Sequence, residues 1–394
     1  MTLVRTATLR SLPPYVFAEL DRLKADARAR GATLVDLGIG SPDLPMAPAV
    51  IDALAAAAAE PGIQGYPPFL GAPRFFDAIG RFMARRFGVT VDAPNEALAL
   101  SGAKEGIAGI IAALCGPGDV VLVPEIYYPV YARAAWLVGA EVRWMPMRAD
   151  TGFVLDLDAI PAAEARRAKL MIVNYPNNPT GARVDRAFYD RAVAFAKRHD
   201  LLLVSDAAYS ELTFDGSPAP SALQSDPARE VTLEFHSCSK TFSMAGLRIG
   251  FVVGNARAID ALAAYRSNIG YGTATAVQHA AAYALDHHEE LVPPKVAAYR
   301  SRRDAMANAL RAAGWDVAVP EATMYLWLPV PEGVDDWDWV KALIDRDGVV
   351  VTPGVAFGDG GRGFFRISLV RDEATLAAAA ARIAARRRVL MRAA

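Results

Sequence analysis

The sequence predicts an α/β protein in which a large domain, built on a mostly parallel sheet flanked by helices, is joined to a smaller α+β domain. The chain has 394 residues, which is more than one hydrophobic core usually organises, so two domains are expected. Several short segments rich in Val, Ile and Leu are apolar throughout, as is typical of strands buried on both faces of a sheet. Amphipathic segments alternate with them, which indicates helices covering that sheet.

The alternation of strands and helices runs through the middle of the chain. Strands are predicted at residues 97–100, 120–123, 170–174, 201–205, 231–235 and 249–253. Helices are predicted between them at residues 104–114, 129–138 and 185–198. We assign residues 46–285 to the large domain.

The pattern changes after about residue 285, where longer helices and fewer strands follow. The predicted order is a helix at 294–312, strands near 316–319 and 324–328, a helix around 338–346, strands at 349–352 and 364–369, and a final Ala- and Arg-rich helix with a solvated basic face. We assign residues 286–394 to a small C-terminal domain. Residues 1–45 are expected to form an N-terminal arm and part of the small domain, with a helix at about 15–30.

The composition argues against several classes of protein. Acidic and basic side chains nearly cancel, 43 against 42, so neither a nucleic-acid surface nor a membrane-seeking face is expected. The two cysteines, Cys115 and Cys238, are too few for a disulfide framework or a cysteine-based metal site to be expected. The N-terminus has no apolar signal segment, and no apolar run reaches the ~20 residues that span a bilayer. We therefore expect a soluble cytoplasmic protein without a metal site.

Ligands of doubly wound sheets bind at the carboxyl ends of the strands, so unusual residues there are candidates for function. The first such segment, residues 101–106, follows a predicted strand and opens a helix with two glycines. Small residues and the free N–H groups of a helix start can hold a phosphate. The plainer interpretation, favoured when this segment is considered alone, is an ordinary strand-to-helix turn.

Residues 175–181 form a second candidate, in which Asn177 and Asn178 lie between two prolines. Asn, Pro and Gly are turn formers, so a bare turn explains the composition. A rigid loop of this kind also suits an amide that must bind a ligand oxygen.

Asp206 directly follows the apolar segment 201–204 and Ser205. A carboxylate at the end of a buried strand costs free energy unless it is paired, and a protonated pyridine nitrogen is one cation that would pair with it. A helix N-cap is the competing interpretation, and the two are evenly balanced on this segment alone.

Lys240 lies among hydroxyl residues, directly after an apolar strand, and Arg248 follows eight residues later. A lone lysine is nearly always a surface charge. A buried lysine, however, has a lowered pKa and can act as a nucleophile and base. An arginine at this spacing could hold a phosphate with two hydrogen bonds.

Arg366 stands inside the strand-like segment 364–369. An arginine in such a segment is expected to be buried and to need an anion, and a substrate carboxylate fits its planar fork. An internal salt bridge is the plainer explanation of this segment by itself.

Taken together and in this order, these segments resemble the class I aminotransferases, the pyridoxal-phosphate enzymes of fold type I. The resemblance extends from Leu37, Gly38 and Ile39 to Ile367 and Ser368, nearly the whole chain. Within the family it is nearest to the LL-diaminopimelate and alanine aminotransferases. It implies a seven-stranded sheet, a homodimer with shared active sites, and the cofactor pyridoxal 5'-phosphate.

The resemblance also implies a role for each site residue. Lys240 would carry the cofactor covalently and act as the catalytic base. The cofactor would be held by Ala103, Lys104, Tyr128, Asn178, Asp206, Tyr209, Ser237, Ser239, Arg248 and, from the partner subunit, Tyr66. The substrate would contact Gly40, Asn178, Arg366 and Tyr15. The implied reaction is ping-pong transfer of an amino group between an amino acid and a 2-oxo acid, such as LL-diaminopimelate or alanine with 2-oxoglutarate.

Two departures from the family pattern are visible. Leu247 replaces a frequent Trp before the phosphate-binding arginine, and Thr323, Met324 and Tyr325 replace a frequent Gly-Ala-Phe. Neither is expected to touch the chemistry, but the second could reshape the substrate side of the site. A carbon–sulfur β-lyase on the same fold would use the same cofactor residues and is the main alternative. A non-catalytic regulator is a second one, but no added DNA-binding domain or basic arm is visible.

Overall fold

The computed structural model describes residues 4–393, with side chains to residue 391. Its helices are α1 (Ala7–Ser11), α2 (Val16–Ala29), α3 (Pro48–Ala58), α4 (Pro73–Phe87), α5 (Ala93–Glu96), α6 (Ala103–Leu114), α7 (Val130–Leu137), α8 (Ala162–Ala165), α9 (Arg186–His199), α10 (Cys238–Thr241), α11 (Ala256–Ser267), α12 (Thr275–Asp286), α13 (His288–Ala312), α14 (Asp336–Ala342) and α15 (Glu373–Ala393). Its strands are β1 (Val35–Asp36), β2 (Ala97–Leu100), β3 (Val120–Pro124), β4 (Glu141–Met145), β5 (Ala168–Asn174), β6 (Leu202–Asp206), β7 (Thr232–Ser237), β8 (Gly250–Gly254), β9 (Tyr325–Pro329), β10 (Val349–Val350), β11 (Thr352–Pro353) and β12 (Phe364–Ser368).

Within these residues the large sheet has seven strands in the order β2-β8-β7-β6-β5-β3-β4. Strand β8 runs antiparallel to β2 and β7, and the other neighbours are parallel. The central strands are buried on both faces because their side chains are apolar almost throughout. The predicted α/β fold with a mostly parallel sheet is therefore confirmed.

Helices cover both faces of this sheet. On one face α4 and α9 contribute Phe75 and Phe188 to a core that also contains Phe251 from β8. On the other face α6 and α7 contribute Ile107 and Tyr131 to a second core. This arrangement leaves the carboxyl ends of the parallel strands as the edge at which loops meet.

A second, three-stranded antiparallel sheet, in the order β11-β12-β9, lies in the C-terminal part of the described chain. Trp339, Phe365 and Tyr299 are buried in its core. Helix α2 contributes Leu20 and Ala27 to the same core, and β1 pairs with β10. The N-terminal helix thus packs on the C-terminal elements.

Some predicted elements differ from the structure. Residues 316–319 form no strand, because the Val317 carbonyl accepts hydrogen bonds from the Arg311 side chain (2.7 and 3.1 Å), not from a neighbouring strand. The predicted helix at 294–312 begins earlier, at His288. The predicted helix at 338–346 is α14 followed by a π-helical turn, Leu343–Asp347, and the predicted strand at 349–352 is divided between β10 and β11.

Strand β4 was missed because its sequence is not an apolar segment. It lies at the edge of the sheet, pairs with β3 alone, and carries Glu141 and Arg143. Edge strands commonly bear charged side chains, which block further pairing.

No helix among the described residues is long and apolar enough to cross a membrane.

Candidate active site

The carboxyl ends of three neighbouring parallel strands bring polar residues side by side. Asn174 ends β5 and is aligned with Asp206 at the end of β6, while Ser237 ends β7. A cavity of about 350 Å³ lies at this edge. It is lined by the predicted site residues Tyr15, Gly40, Ala103, Lys104, Tyr128, Asn178, Asp206, Tyr209, Ser237, Ser239, Lys240, Arg248 and Arg366. Residues of all five candidate segments, together with Tyr15, Gly40 and Tyr128, therefore meet in one place.

Lys240 lies on α10, the short helix that follows β7, and its Nζ donates a hydrogen bond to the Gly40 carbonyl. Burial lowers the pKa of Lys240, the nearby Arg366 and Arg248 lower it further, and Tyr325 partly opposes them. Among the described residues no carboxylate pairs with this amine. A lysine with a lowered pKa and no carboxylate partner is suited to act as a nucleophile.

Asp206 is buried beneath the cavity. Its Oδ2 accepts a hydrogen bond from the Tyr131 hydroxyl at 2.6 Å, and its Oδ1 accepts one from the Ala208 amide at 3.2 Å. Burial raises the pKa of Asp206, and these two donors partly offset the rise. Residues 207–211 turn without forming a helix, so the N-cap interpretation is wrong. The carboxylate fits a protonated pyridine nitrogen because it is buried and lacks a cationic partner in the part of the chain described.

Arg366 and Asn178 meet at the other side of the cavity. The Arg366 Nη1 donates to Asn178 Oδ1 at 2.8 Å, and Nη2 donates to the Gly38 carbonyl at 2.6 Å. The Nε atom is buried without a hydrogen-bond partner. No carboxylate within the described range pairs with this guanidinium. The interpretation of Arg366 as part of an internal salt bridge is therefore wrong. A buried guanidinium with a free N–H is suited to a substrate carboxylate.

An anion corner is formed by the start of α6, the hydroxyls of Ser237 and Ser239, and Arg248. Gly102 has a φ of +93°, which favours glycine, and a Cβ atom added there would lie 2.5 Å from Arg248 Nη2 and displace the guanidinium. The first two amide N–H groups of α6, those of Ala103 and Lys104, lack intrahelical acceptors. Amide donors, hydroxyls and a guanidinium together fit a phosphate group.

Two pairs of tyrosines shape the remaining walls. Tyr128 lines the cavity with its ring, and Tyr131, three residues later, reaches Asp206. The hydroxyls of Tyr209 and Tyr325 lie 2.7 Å apart. Tyr325, one of the residues that depart from the family pattern, thus lines the cavity together with Gly40 and Arg366.

The N-terminal segment covers one end of the cavity through Tyr15 and Phe17. Arg133 on α7 holds this segment, since its Nη2 donates to the carbonyls of Pro13 (2.9 Å) and Pro14 (2.8 Å), and its guanidinium lies 5.1 Å from the Tyr15 ring centre. Tyr15 and Phe17 also line an outer cleft of about 1120 Å³. They form the partition between the two spaces.

Tyr66 is the one predicted site residue that does not line the cavity of its own chain. It is 81% exposed and stacks on Tyr271, with ring centres 4.2 Å apart. Tyr271 also stacks on Phe69 at 5.1 Å. This exposed position leaves Tyr66 free for the contact with a partner subunit that the resemblance implies.

Tyr131, Arg133 and Phe17 belong to the site but were not predicted from the sequence. Tyr131 could have been found, because it lies three residues after Tyr128, in the first turn of the helix predicted to begin at residue 129. Arg133 and Phe17 carry no such signal, since their contacts depend on where the N-terminal segment folds.

The fold is a doubly wound sheet, and its cavity holds a lysine between a buried unpaired carboxylate and the anion corner. Together the fold and the cavity define the class of protein, the pyridoxal-phosphate enzymes of aminotransferase type. The sequence model of the family "Aminotransferase class I and II" matches residues 32–383. The chain belongs to this family, is an aminotransferase, and uses pyridoxal phosphate.

Named relatives share most of the chain. It is 45% identical over 369 residues to the LL-diaminopimelate aminotransferase of Desulforudis audaxviator (strain MP104C), covering 94% of each chain. It is 44% identical over 382 residues to the enzyme of the same name from Moorella thermoacetica (strain ATCC 39073 / JCM 9320), covering 97% of each. Among solved structures, a probable N-succinyldiaminopimelate aminotransferase from Thermus thermophilus superposes with a TM-score of 0.88 at 39% identity, covering 94% of this chain and 99% of that one.

Proposed function

We propose that this aminotransferase moves the amino group of LL-diaminopimelate or alanine to 2-oxoglutarate, with Lys240 as the residue that carries the cofactor and transfers the proton. The main observation behind these residue roles is that a single cavity contains all three groups. They are Lys240 without a carboxylate partner, the buried Asp206, and Arg366 with a free N–H. The names of the relatives support LL-diaminopimelate as the amino donor.

Each side chain has a distinct task in holding the cofactor. Asp206 would pair with the pyridine nitrogen, and Asn178 and Tyr209 would bind the phenolic oxygen. Tyr128 would stack on the ring. The phosphate would be held by Ser237, Ser239, Arg248 and the amides of Ala103 and Lys104. Two observations support the fit of the cofactor to this cavity. Arg248 lies close to the backbone at Gly102, and Asp206 is buried without a cationic partner among the described residues.

The bound cofactor supplies a protonated ring that withdraws electrons from the substrate's Cα. Arg366 binds the substrate α-carboxylate and Gly40 lies beside it, which orients the Cα–H bond toward Lys240. Once the substrate's amino group has replaced Lys240 on the cofactor, the freed Lys240 amine would take the proton from Cα as a general base. It would then give this proton, as a general acid, to the cofactor carbon that is bonded to the same nitrogen, and its lowered pKa suits this task. Tyr15 and Phe17 keep water from this space.

We further propose a homodimer in which Tyr66 reaches the phosphate in the partner's site. Tyr66, Phe69 and Tyr271 form an exposed aromatic stack, and Ile269 beside them is 62% exposed. Exposed apolar patches of this kind commonly mark protein interfaces. A second copy of this chain is the proposed occupant, because a symmetric dimer would place the same patch twice at one interface.

A cytoplasmic location is proposed because Cys115 and Cys238 are both buried free thiols, as is typical of a reducing compartment. We also propose domain boundaries at residues 45 and 285. The presence of two separate cores, one under the large sheet and one in the C-terminal part, supports them.

The test of the substrate is a screen of amino donors with 2-oxoglutarate and with pyruvate, followed through the absorbance of the bound cofactor. Alanine or LL-diaminopimelate should exceed aspartate in kcat/KM, and glutamate should react. The reason is that residues 267–274, where some dicarboxylate-specific relatives place an arginine, contain only amides, hydroxyls and small or apolar side chains. Aspartate preferred over both by about tenfold, roughly 1.4 kcal/mol, would contradict the proposal.

A lyase on this fold would release ammonia and pyruvate from a cysteine conjugate. The relatives of this chain are named aminotransferases, so this alternative receives no support from them. Formation of pyridoxamine phosphate from amino acid alone is the result expected of a transaminase.

A further inference from the structure

The hydroxyls of Tyr209 and Tyr325 form a buried pair, of which the proposed function uses only Tyr209. Tyr209 lies in the turn after β6, and Tyr325 begins β9, 116 residues later. The two oxygens are 2.7 Å apart, and the side chains are 6% and 2% exposed. This contact joins the large sheet to the C-terminal sheet at the cavity wall.

The position of the Tyr325 ring is restricted on further sides. A Cβ atom added to Gly40 would lie 2.1 Å from the Tyr325 hydroxyl, so only glycine at residue 40 leaves room for this oxygen. The guanidinium of Arg366 lies over the ring, 4.2 Å from its centre. Since Gly40 and Arg366 both line the substrate side of the cavity, the Tyr325 hydroxyl is fixed between the substrate residues and Tyr209.

A tyrosine hydroxyl has one proton to donate and lone pairs that can accept. Burial raises the pKa of Tyr209 well above its ordinary value, so this residue keeps its proton. If Tyr209 gives that proton to a hydrogen bond with the phenolic oxygen of the cofactor, it can contact Tyr325 only as an acceptor. Tyr325 must then be the donor of the pair.

We propose that Tyr325 is a positioning residue, which donates to the Tyr209 oxygen and so fixes the Tyr209 proton toward the cofactor. The inference rests on the proposed contact between Tyr209 and the phenolic oxygen. A hydroxyl that accepts one hydrogen bond becomes a stronger donor in the next, because the two bonds polarise each other. Without Tyr325, the Tyr209 hydroxyl can rotate away.

The experiment is a pH titration of the visible absorbance of the cofactor-loaded protein, without substrate. A donor on the phenolic oxygen withdraws charge from it and so weakens its hold on the proton shared with the Lys240 linkage. Tyr209→Phe should therefore raise the titration midpoint. Tyr325→Phe should raise it in the same direction by a smaller amount, about half a pH unit.

The double variant separates an action through Tyr209 from a direct one. If Tyr325 acts through Tyr209, adding Tyr325→Phe to Tyr209→Phe should leave the midpoint of the single Tyr209→Phe variant unchanged. Tyr299→Phe is the matched control, because Tyr299 is 1% exposed and its hydroxyl has no hydrogen-bond partner within the described part of the chain. It should titrate like the wild type.

A Tyr325→Phe midpoint equal to that of the wild type, beside a shifted Tyr209→Phe midpoint, would overturn the inference and leave the proposed function intact. Shifts that add in the double variant would also overturn it, because Tyr325 would then act without Tyr209. A wild-type protein that acquires no visible absorbance with pyridoxal phosphate would instead refute the proposed function.

Discussion

Asp206 shows how burial and hydrogen bonding compete at a single residue. Burial favours the protonated carboxyl, whereas the Tyr131 hydroxyl and the Ala208 amide favour the carboxylate. The net shift in the pKa of Asp206 is upward. The hydrogen bonds therefore do not fully offset the cost of burying the carboxylate until a cation binds. A protonated ring nitrogen would remove this deficit, which makes cofactor binding and ionisation of Asp206 mutually supporting.

Tyr131→Phe should move the acid limb of the kcat/KM profile to higher pH. The hydrogen bond from Tyr131 lowers the pKa of Asp206, so without it the carboxyl takes up its proton earlier as the pH falls. A shift of about one pH unit is expected, since a hydrogen bond to a charged group contributes about 1.5 kcal/mol. Tyr127→Phe, a neighbouring tyrosine that lines the outer cleft, is the control. An acid limb that moves equally in both variants would show that Tyr131 has no special effect.

At the scale of elements, Glu211 ties the turn after β6 to two helices. It accepts hydrogen bonds from Arg86 Nε on α4 (2.9 Å) and from His288 Nε2 at the start of α13 (2.6 Å). Burial alone would raise its pKa, but His288 and Arg86 outweigh this effect and lower the pKa of Glu211 to about 2. The carboxylate therefore holds the turn that carries Tyr209.

Glu211→Gln should reduce the free energy of unfolding at pH 7 by roughly 3 kcal/mol. The folded-state pKa lies below the ordinary 4.5, so the contribution is present above pH 4.5 and is lost as the pH falls toward 2. The stability difference between variant and wild type should shrink over that range in denaturant titrations. Glu290→Gln, at an exposed glutamate of α13, is the control. A difference that stays constant with pH would contradict this account.

Arg133→Ala should release the N-terminal segment from the cavity. The loss of two hydrogen bonds to Pro13 and Pro14 should speed amide exchange in residues 7–17 about tenfold, roughly 1.4 kcal/mol. KM should rise more than kcat falls, because Tyr15 and Phe17 line the substrate side. Arg143→Ala, which removes an ion pair with Glu141 elsewhere, is the control. Unchanged exchange in the N-terminal segment would show that Arg133 does not hold it.

At the scale of the whole molecule, shared active sites predict that two defective chains complement each other. Lys240→Ala removes the attachment point of one site, and Tyr66→Ala removes the contribution to the partner's site. In a hybrid dimer one site then keeps both residues. Because half of randomly mixed dimers are hybrids with one complete site, activity should reach about a quarter of the wild-type value.

The complementation has a direct control and a clear contrary result. The Lys240→Ala chain alone should be inactive, and light scattering should report a dimer at the assay concentration. A mixture no more active than its Tyr66→Ala component would show that the sites are not shared.

Much of the fold and the site was predictable because the signals are local in sequence. Lys240 and Asp206 closely follow apolar strands, and Arg366 interrupts one, so the strand pattern itself places each near the sheet edge. The contacts of Tyr325 with Tyr209 and of Tyr131 with Asp206 span 116 and 75 residues. Such contacts depend on how the two sheets and their helices pack, which periodicity does not encode.

The errors in secondary structure have a similar origin. Residues 316–319 have the composition of a strand, but no neighbouring strand among the described residues pairs with them. The Val317 carbonyl accepts hydrogen bonds from the Arg311 side chain instead. Strand β4 pairs although its charged residues lack an apolar pattern. Pairing partners are a property of the assembled sheet, so a single segment of sequence cannot reveal them.

The central claim is that Lys240 holds the cofactor covalently in this cavity. The measurement is borohydride reduction of the protein loaded with pyridoxal phosphate, followed by proteolysis and mass spectrometry of the peptides. The account predicts one modified peptide, with the added mass on Lys240 and none on Lys104, which lines the same cavity. Modification of Lys104 or another lysine while Lys240 stays free, or no modification at all, would contradict it.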